Sequence, residues 1–331
     1  MYNKIKCFQD DCREVYRSYT DSSLDVLRGS HLAITGGSGF VGSWVSEMVS
    51  LLNDEFKFDM RLTLLVRDGE KFQQEKAHLS KRADIKLQQV DVRDSFEVGH
   101  DVNYLIHAAS TPSGQAEASR PFDSMRIIAD GTANALEAVE NCSDFRLFVN
   151  LSSAFCAHEA QNSYVMAKRY GEVLVSAARS QKRLPTINVR PYAFIGPYLS
   201  LKAPFALNNF IRDALQQSSI RILGDGRSIR SYLYGADAAM WLLRLLALGE
   251  SSKTYSLGSS KGVYLSALAE EVASNFSPVP DIQLQRQQSF LRGVEELVAD
   301  TTQIEKEIGV KEVISLQASV KKTINWWQHG K

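Results

Sequence analysis

The sequence predicts an α/β fold, a doubly wound parallel sheet with a smaller C-terminal lobe, and three observations carry that prediction. Short apolar runs alternate with stretches of helical spacing over residues 31–190, the cadence of strand–helix–strand units joined in parallel. The first of these runs leads straight into a turn with glycines at 36, 39 and 42. Beyond Arg190-Pro191 the alternation gives way to shorter, mixed elements, which suits a lobe folded onto the sheet.

Taken in order, residues 1–30 are polar, with Leu24, Val26 and Leu27 as their clearest apolar cluster, and predict a helical extension on the outside of the first unit. Leu32-Ala33-Ile34 reads as a buried strand, and Val41, Trp44, Val45, Met48, Val49 and Leu52 recur at helical spacing after the glycines. Strand, glycine turn and helix open a dinucleotide-binding unit. Glycine lets the backbone turn tightly and approach a pyrophosphate, whose charge meets the free N–H groups at the helix N-terminus. The spacing is GxxGxxG, not the commoner GxGxxG. A second strand, Leu62 to Val66, ends at Arg67-Asp68, and the charged stretch 69–83 reads as helical. Ile85 to Val90 is a third strand running into Asp91-Val92-Arg93-Asp94, and Tyr104-Leu105-Ile106 a fourth that ends at His107-Ala108-Ala109-Ser110. A helix over about 122–141, a fifth strand at Leu147 to Leu151, a helix over about 164–180 and a sixth strand from Thr186 to Val189 complete the sheet.

The expected division is an extension at 1–30, a dinucleotide domain at 31–190 and a substrate lobe at 191–331, some segments of which return to the sheet. The lobe holds a helix (Phe205 to Leu215), a strand (Ile220 to Leu223), the turn Gly224-Asp225-Gly226, a further strand, and an apolar helix from Ala238 to Leu248 with Asp237 as its N-cap. Small helices and strands follow, closing on Trp326-Trp327, a pair that fits core or lobe closure. The ligand crevice is expected between lobe and sheet, outside the strands' C-terminal ends.

Composition excludes several classes. Lys+Arg and Asp+Glu both total 38, so nothing points to nucleic acid or an anionic membrane. No apolar run approaches the ~20 residues of a membrane helix, and no signal-peptide core follows Met1 to Lys6. Cys7, Cys12, Cys142 and Cys156 form no CxxC pair, and six scattered histidines assemble no metal site. A cytoplasmic protein with free thiols and no metal is expected.

The fifth strand ends in Ser152-Ser153, and Tyr164 and Lys168 follow on a predicted helix, four residues apart on one face. A tyrosine titrates near pH ~10 when unperturbed, too high for ready proton exchange at neutral pH. An ammonium one turn away favours its phenolate, as would an oxidised nicotinamide. With a serine hydroxyl at the neighbouring strand end, this is a general acid/base beside a hydride carrier. YxxxK alone is a short pattern that exposed helices also carry; its register with the glycine turn and the serine-tipped strand gives it meaning.

The chain resembles the extended short-chain dehydrogenase/reductases of the nucleotide-sugar epimerase/dehydratase family. The likeness rests on Thr35 to Gly42, Asp91-Val92, His107-Ala108-Ala109, Ser152-Ser153, Tyr164 and Lys168, Arg190-Pro191-Tyr192 with Gly196-Pro197, and Gly224-Asp225-Gly226 with Arg230 and Asp237. The resemblance implies a Rossmann-like NAD(P) domain and a lobe for a nucleoside-diphosphate sugar. It implies Ser153, Tyr164 and Lys168 as catalytic residues. Around the cofactor it implies Gly36, Ser38, Gly39, Phe40, Val41, Arg67, Asp91, Val92, Ala108, Ala109 and Pro191, with Tyr164 and Lys168 also facing it. Toward the substrate it implies Ser110, Ser153, Asn209 and Arg230; a surface salt bridge is the other reading of Arg230.

Four departures bear on the reaction. The 4,6-dehydratases of the family follow their Ser/Thr with an Asp-Glu pair; here those positions are Ala154-Phe155, which have no proton to give, so a dehydratase is not expected. The segment between Ser153 and Tyr164 is short, Ala193 stands where relatives carry Asn, and Ile128 replaces an Asn three residues before Gly131. At the end of the second strand, relatives that bind NAD place an acid, whereas a base accommodates a 2′-phosphate. Arg67 predicts NADP, with NAD as the alternative should Asp68 take the ribose. The expected activity is reduction at C4 of a nucleotide-linked keto-hexose; a 4-epimerase is the alternative, and a non-enzymatic dinucleotide sensor a third. His107 reads as a packing residue, His158 as a loop residue near the site, and Cys156 as an unactivated thiol. The helices at about 122–141 and 164–180 resemble those that pair relatives into homodimers.

Overall fold

The structure, a computed structural model, describes residues 4–110, 120–157, 162–203, 205–285 and 295–329. A seven-stranded parallel sheet runs through it, built from β1 (His31–Thr35), β2 (Arg61–Val66), β3 (Ile85–Gln89), β4 (Tyr104–His107), β5 (Leu147–Leu151), β6 (Thr186–Pro191) and, far along the chain, β11 (Thr254–Leu257). The order β11-β6-β5-β4-β1-β2-β3 reverses direction between β1 and β4. Strands β1, β4 and β5 are buried at every position, which is why they read as apolar runs without alternation.

Helices α2 (Phe40–Phe56), α3 (Gly69–Glu75), α4 (Ala77–Ser80), α5 (Pro121–Ala138) and α6 (Ser163–Lys182) connect these strands, with α1 (Lys4–Arg17) ahead of them. In the lobe, β7 (Ala193–Ile195) pairs with β10 (Tyr232–Tyr234), and α7 (Ala206–Leu215) precedes β8 (Ile220–Ile222). A three-stranded patch holds β9 (Ile229–Arg230) between β12 (Val263–Tyr264) and β14 (Glu296–Leu297). Helices α8 (Gly235–Leu248), α9 (Leu265–Ala273), α10 (Thr302–Ile308) and α11 (Leu316–His329), and β13 (Ile282–Leu284) beside β8, complete it.

The structure corrects or completes the sequence reading in four places. The sheet has a seventh strand, β11, the lobe segment that returns to it, whose four residues are too few to declare a period in the sequence. The charged stretch 69–83 is two short helices broken at Lys76, whose backbone (φ −134°, ψ 47°) leaves the helical region. Helix α8 starts at Gly235 with Tyr234 as N-cap, so Asp237 lies inside its first turn. Its carboxylate caps another segment, accepting from the Val313 and Ile314 N–H groups at 3.0 and 3.1 Å, and burial pushes its pKa up to about 7. In the extension Val26 is exposed, whereas Phe8, Cys12 and Val15 of α1 are buried against α2 and α8 alike. Asp11 of α1 accepts from the Tyr234 hydroxyl at 2.6 Å, tying the extension to the lobe as well as to the first unit.

Helix α2 carries the junction of lobe and sheet. Trp44 is fully buried and donates its indole N–H to the Pro197 carbonyl at 3.0 Å. A Cβ at Gly235 would lie 2.1 Å from the Trp44 ring nitrogen, so α8 closes on α2 only because residue 235 has no side chain.

Candidate active site

The reversal of strand order between β1 and β4 opens a crevice at their C-terminal ends. Thr35, the last residue of β1, pins its two walls together. Its hydroxyl meets His107 Nδ1 at 2.8 Å and accepts from the Ala109 N–H at 3.2 Å. Gly36 follows with φ +68°, and a Cβ there would lie 2.8 Å from the Ala109 backbone. Only glycine takes that turn at that approach. Gly39 is the N-cap of α2 and has no side-chain acceptor to satisfy the helix's first N–H groups, leaving them for an anion.

The crevice, of about 200 Å³, is lined by Gly36, Ser38, Gly39, Arg67, Asp91, Val92, Ala108 and Ala109, all expected around a cofactor. Ser110, expected toward the substrate, lines it too. Leu65, Val90 and Ile127 complete the walls and were missed. Leu65 lies one residue before the end of β2 and Val90 just past β3, and neither carries a motif; Ile127 reaches the crevice only through the placement of α5. Phe40 and Val41 lie in the first turn of α2, outside that lining, and Phe40 stacks on Phe194 with ring centroids 5.3 Å apart. Pro191 ends β6.

Asp91 is held by Arg93, whose Nε and terminal nitrogen donate to the two carboxylate oxygens at 3.0 and 2.6 Å; these bonds hold the carboxyl down to about 2. Arg67 is exposed beside it and makes no hydrogen bond or ion pair among the described residues. Asp68 turns away to cap α3, accepting from the Lys71 N–H at 2.9 Å.

Around the expected catalytic trio, β5 delivers Ser152-Ser153 at its end. Ser153 is buried, and its Oγ accepts from the Phe155 N–H at 3.3 Å. Ala154 and Phe155 begin a 3₁₀ turn at the position where the dehydratase acids would stand. Tyr164 and Lys168 sit one turn apart on α6, whose N-cap Asn162 accepts from the Val165 N–H at 2.9 Å. Tyr164 is half-buried, while Lys168 is buried and donates its ammonium to the Leu151 carbonyl at 2.6 Å. Burial pulls the Lys168 pKa down to about 8, and the Glu172 carboxylate one turn further on opposes that shift. Glu172 in turn holds Arg190 at 2.9 and 2.7 Å. Lys168 is therefore an ammonium at neutral pH, held at the end of β5 and one helical turn from Tyr164.

His107 is buried, burial pushes its pKa down to about 3, and its ring packs against Phe148; it is a neutral packing group. Cys156 lies 3.3 Å from Ser152 Oγ, and burial raises its thiol above the ordinary range. His158 falls outside the described residues. In the lobe, Asn209 Oδ1 accepts from Arg212 at 2.7 Å, and Arg230 pairs with Glu295 at 2.9 Å, so each holds a partner within the chain. A wider hollow beside Asn53 and Asp84 opens at the opposite, N-terminal ends of the strands, away from these groups.

Fold and crevice together define a dinucleotide-binding α/β protein of the short-chain dehydrogenase/reductase type. The chain belongs to the NAD dependent epimerase/dehydratase family, whose model matches residues 32–258. It is 22% identical over 315 residues to the trifunctional UDP-glucose 4,6-dehydratase/UDP-4-keto-6-deoxy-D-glucose 3,5-epimerase/UDP-4-keto-L-rhamnose-reductase RHM1 of Arabidopsis thaliana, covering 90% of this chain and 47% of that one. The chain thus spans about half the length of that relative. It is 24% identical over 335 residues to the dTDP-4-dehydro-6-deoxy-D-allose reductase of Streptomyces bikiniensis, covering 93% and 99% of the two. Among solved structures, Bordetella bronchiseptica WbmF in complex with NAD+ superposes with a TM-score of 0.78 at 18% identity, over 92% of this chain and 94% of that one. At that identity the likeness is one of fold.

Proposed function

We propose that the chain is a 4-ketoreductase, reducing the C4 carbonyl of a hexose linked to a nucleoside diphosphate with NADPH. The carrying observation is at the adenosine end of the crevice: Arg67 lies near Asp91 but makes no hydrogen bond or ion pair among the described residues, while Asp68 is turned into a helix cap. A 2′-phosphate fits that arrangement, and NADPH is a donor consumed in net reduction, whereas an epimerase recycles its hydride. When bound, the cofactor supplies hydride to C4. Tyr164 gives its phenolic proton to the carbonyl oxygen, Ser153 holds that oxygen, and the Lys168 ammonium poises the phenol. Ala154 and Phe155 leave no acid for elimination of water, so the chain reduces a ketone made by another enzyme. Residues 31–190 hold the cofactor, and the lobe at 191–331 supplies most substrate contacts. Arg230 and Asn209 exchange their present partners for the diphosphate. A relative covered over nearly its whole length, the Streptomyces allose reductase, supports this reading.

The test is purified protein with NADPH and a panel of 4-keto-6-deoxy nucleotide sugars, varying the base. NADPH oxidation is expected, with NADH poorer, and Arg67→Ala narrowing that preference about tenfold. Interconversion of C4 isomers without net cofactor turnover would replace the reductase by an epimerase. Dinucleotide binding with no turnover on any sugar would leave a sensor. A homodimer through α5 and α6 is part of the proposal, as is the cytoplasm, where four unpaired cysteines are at home.

A further inference from the structure

Behind the crevice, outside its lining, one charged side chain is buried against the back of the glycine turn. Lys76 breaks the helical stretch between α3 and α4, and that break turns its side chain inward. The ammonium donates to the Ser38 carbonyl at 2.6 Å and to Ser43 Oγ at 2.5 Å, and Ser43 Oγ donates onward to the Gly39 carbonyl at 2.6 Å. The Gly39 N–H is bound to the Gly36 carbonyl at 2.9 Å, so the peptide joining Ser38 to Gly39 is fixed at both ends. The ammonium also lies 4.9 Å from the Tyr198 ring centroid and 5.3 Å from that of Phe72.

No carboxylate forms an ion pair with Lys76 among the described residues. The nearby Glu47 is engaged instead by His78 Nε2 at 2.6 Å and by the Tyr198 hydroxyl. Burial lowers the Lys76 pKa to about 8, which leaves it charged at neutral pH. A buried ammonium without a paired anion costs stability unless something else uses its field. Across the turn from it are the open N–H groups of α2, where an anion is favoured.

We propose that Lys76 is a cofactor-positioning residue, an inference that rests on the dinucleotide reading of the crevice. Its ammonium locks the Ser38–Gly39 peptide in the conformation that receives a pyrophosphate. From behind the turn it also adds a full positive charge to the partial charge of the α2 N-terminus. Lys76 touches no ligand itself; it acts through the turn.

The experiment titrates the full chain, wild type and variants, with ADP, NAD+ and NADP+ by calorimetry and with adenosine by ligand-observed NMR, circular dichroism checking the fold. Lys76→Met is expected to weaken ADP and both dinucleotides tenfold or more and adenosine less than twofold. Lys76→Arg is expected to hold ADP within threefold of wild type. A folded K76M that binds ADP like wild type overturns the role. So does one that loses ADP and adenosine in equal measure, since that reports general damage to the crevice. If K76M does not fold, the milder Ser43→Ala decides: three- to tenfold weaker ADP supports the role, and unchanged ADP overturns it. A wild-type chain that binds neither dinucleotide refutes the crevice reading itself, a result distinct from the variants matching wild type.

Discussion

Lys168 concentrates the proposed chemistry of the site at the scale of one residue. The useful form is the ammonium, and burial pulls its pKa from the ordinary 10.5 down to about 8. Charge is therefore lost on the alkaline side earlier than for an exposed lysine. kcat/KM for ketone reduction is expected to be flat below pH 8 and to fall above it, measured by NADPH oxidation across pH 6 to 10. The effect on stability has the opposite sense. A folded-state pKa below the unfolded value means that the native chain binds fewer protons between about pH 8 and pH 10.5. Burying this ammonium thus weighs fully against folding below pH 8, and the penalty fades as pH rises through that window. Tyr164→Phe removes the proposed proton donor and is expected to lower kcat by a factor of about 10²–10⁴ while leaving dinucleotide affinity in place. A variant turning over like wild type would end the assignment of the phenol.

Secondary elements bring these residues together through a few close approaches. The α2–α8 contact is the tightest, with the Trp44 ring set where a Cβ of residue 235 would be. Gly235→Ala is expected to destabilise the fold by about 1–3 kcal/mol, because an extra methyl must displace a fully buried indole. Thermal denaturation reads the loss, and Trp44→Phe in the same chain should recover part of it by yielding space. An alanine variant as stable as wild type would mean that the helices are free to move apart. The glycine turn was legible in sequence since its spacing encodes its geometry. The approach of Gly235 to Trp44 was not, because it joins residues 191 positions apart.

At the scale of the whole molecule, α5 packs along α6 and the pair presents an apolar outer face. Phe122, Met125, Met166, Tyr170 and Val173 are exposed there, with Phe122 at 73% and Val173 at 63%. The last three recur at helical spacing on α6, and a contiguous apolar stripe in water calls for a cover. In the homodimer proposed above, a second copy would lie stripe against stripe in a four-helix seam. Val173→Glu is expected to convert dimer to monomer in analytical ultracentrifugation at micromolar concentration, with little change in melting temperature. A wild-type chain that sediments as a monomer would remove the dimer.

Sequence alone determined the class of fold, the glycine turn, the serine-tipped strand, the Tyr164–Lys168 pair and the missing elimination acids. All but the last are local patterns that spacing encodes directly; the missing acids show only against the resemblance to the family. Tertiary structure alone decided that β11 is the segment returning to the sheet, that Asp237 caps a segment more than seventy residues away, and that Lys76 is buried beneath the turn. Each of these depends on which distant groups the folded chain brings within hydrogen-bond reach. A charged residue in a polar stretch carries no local sign of that.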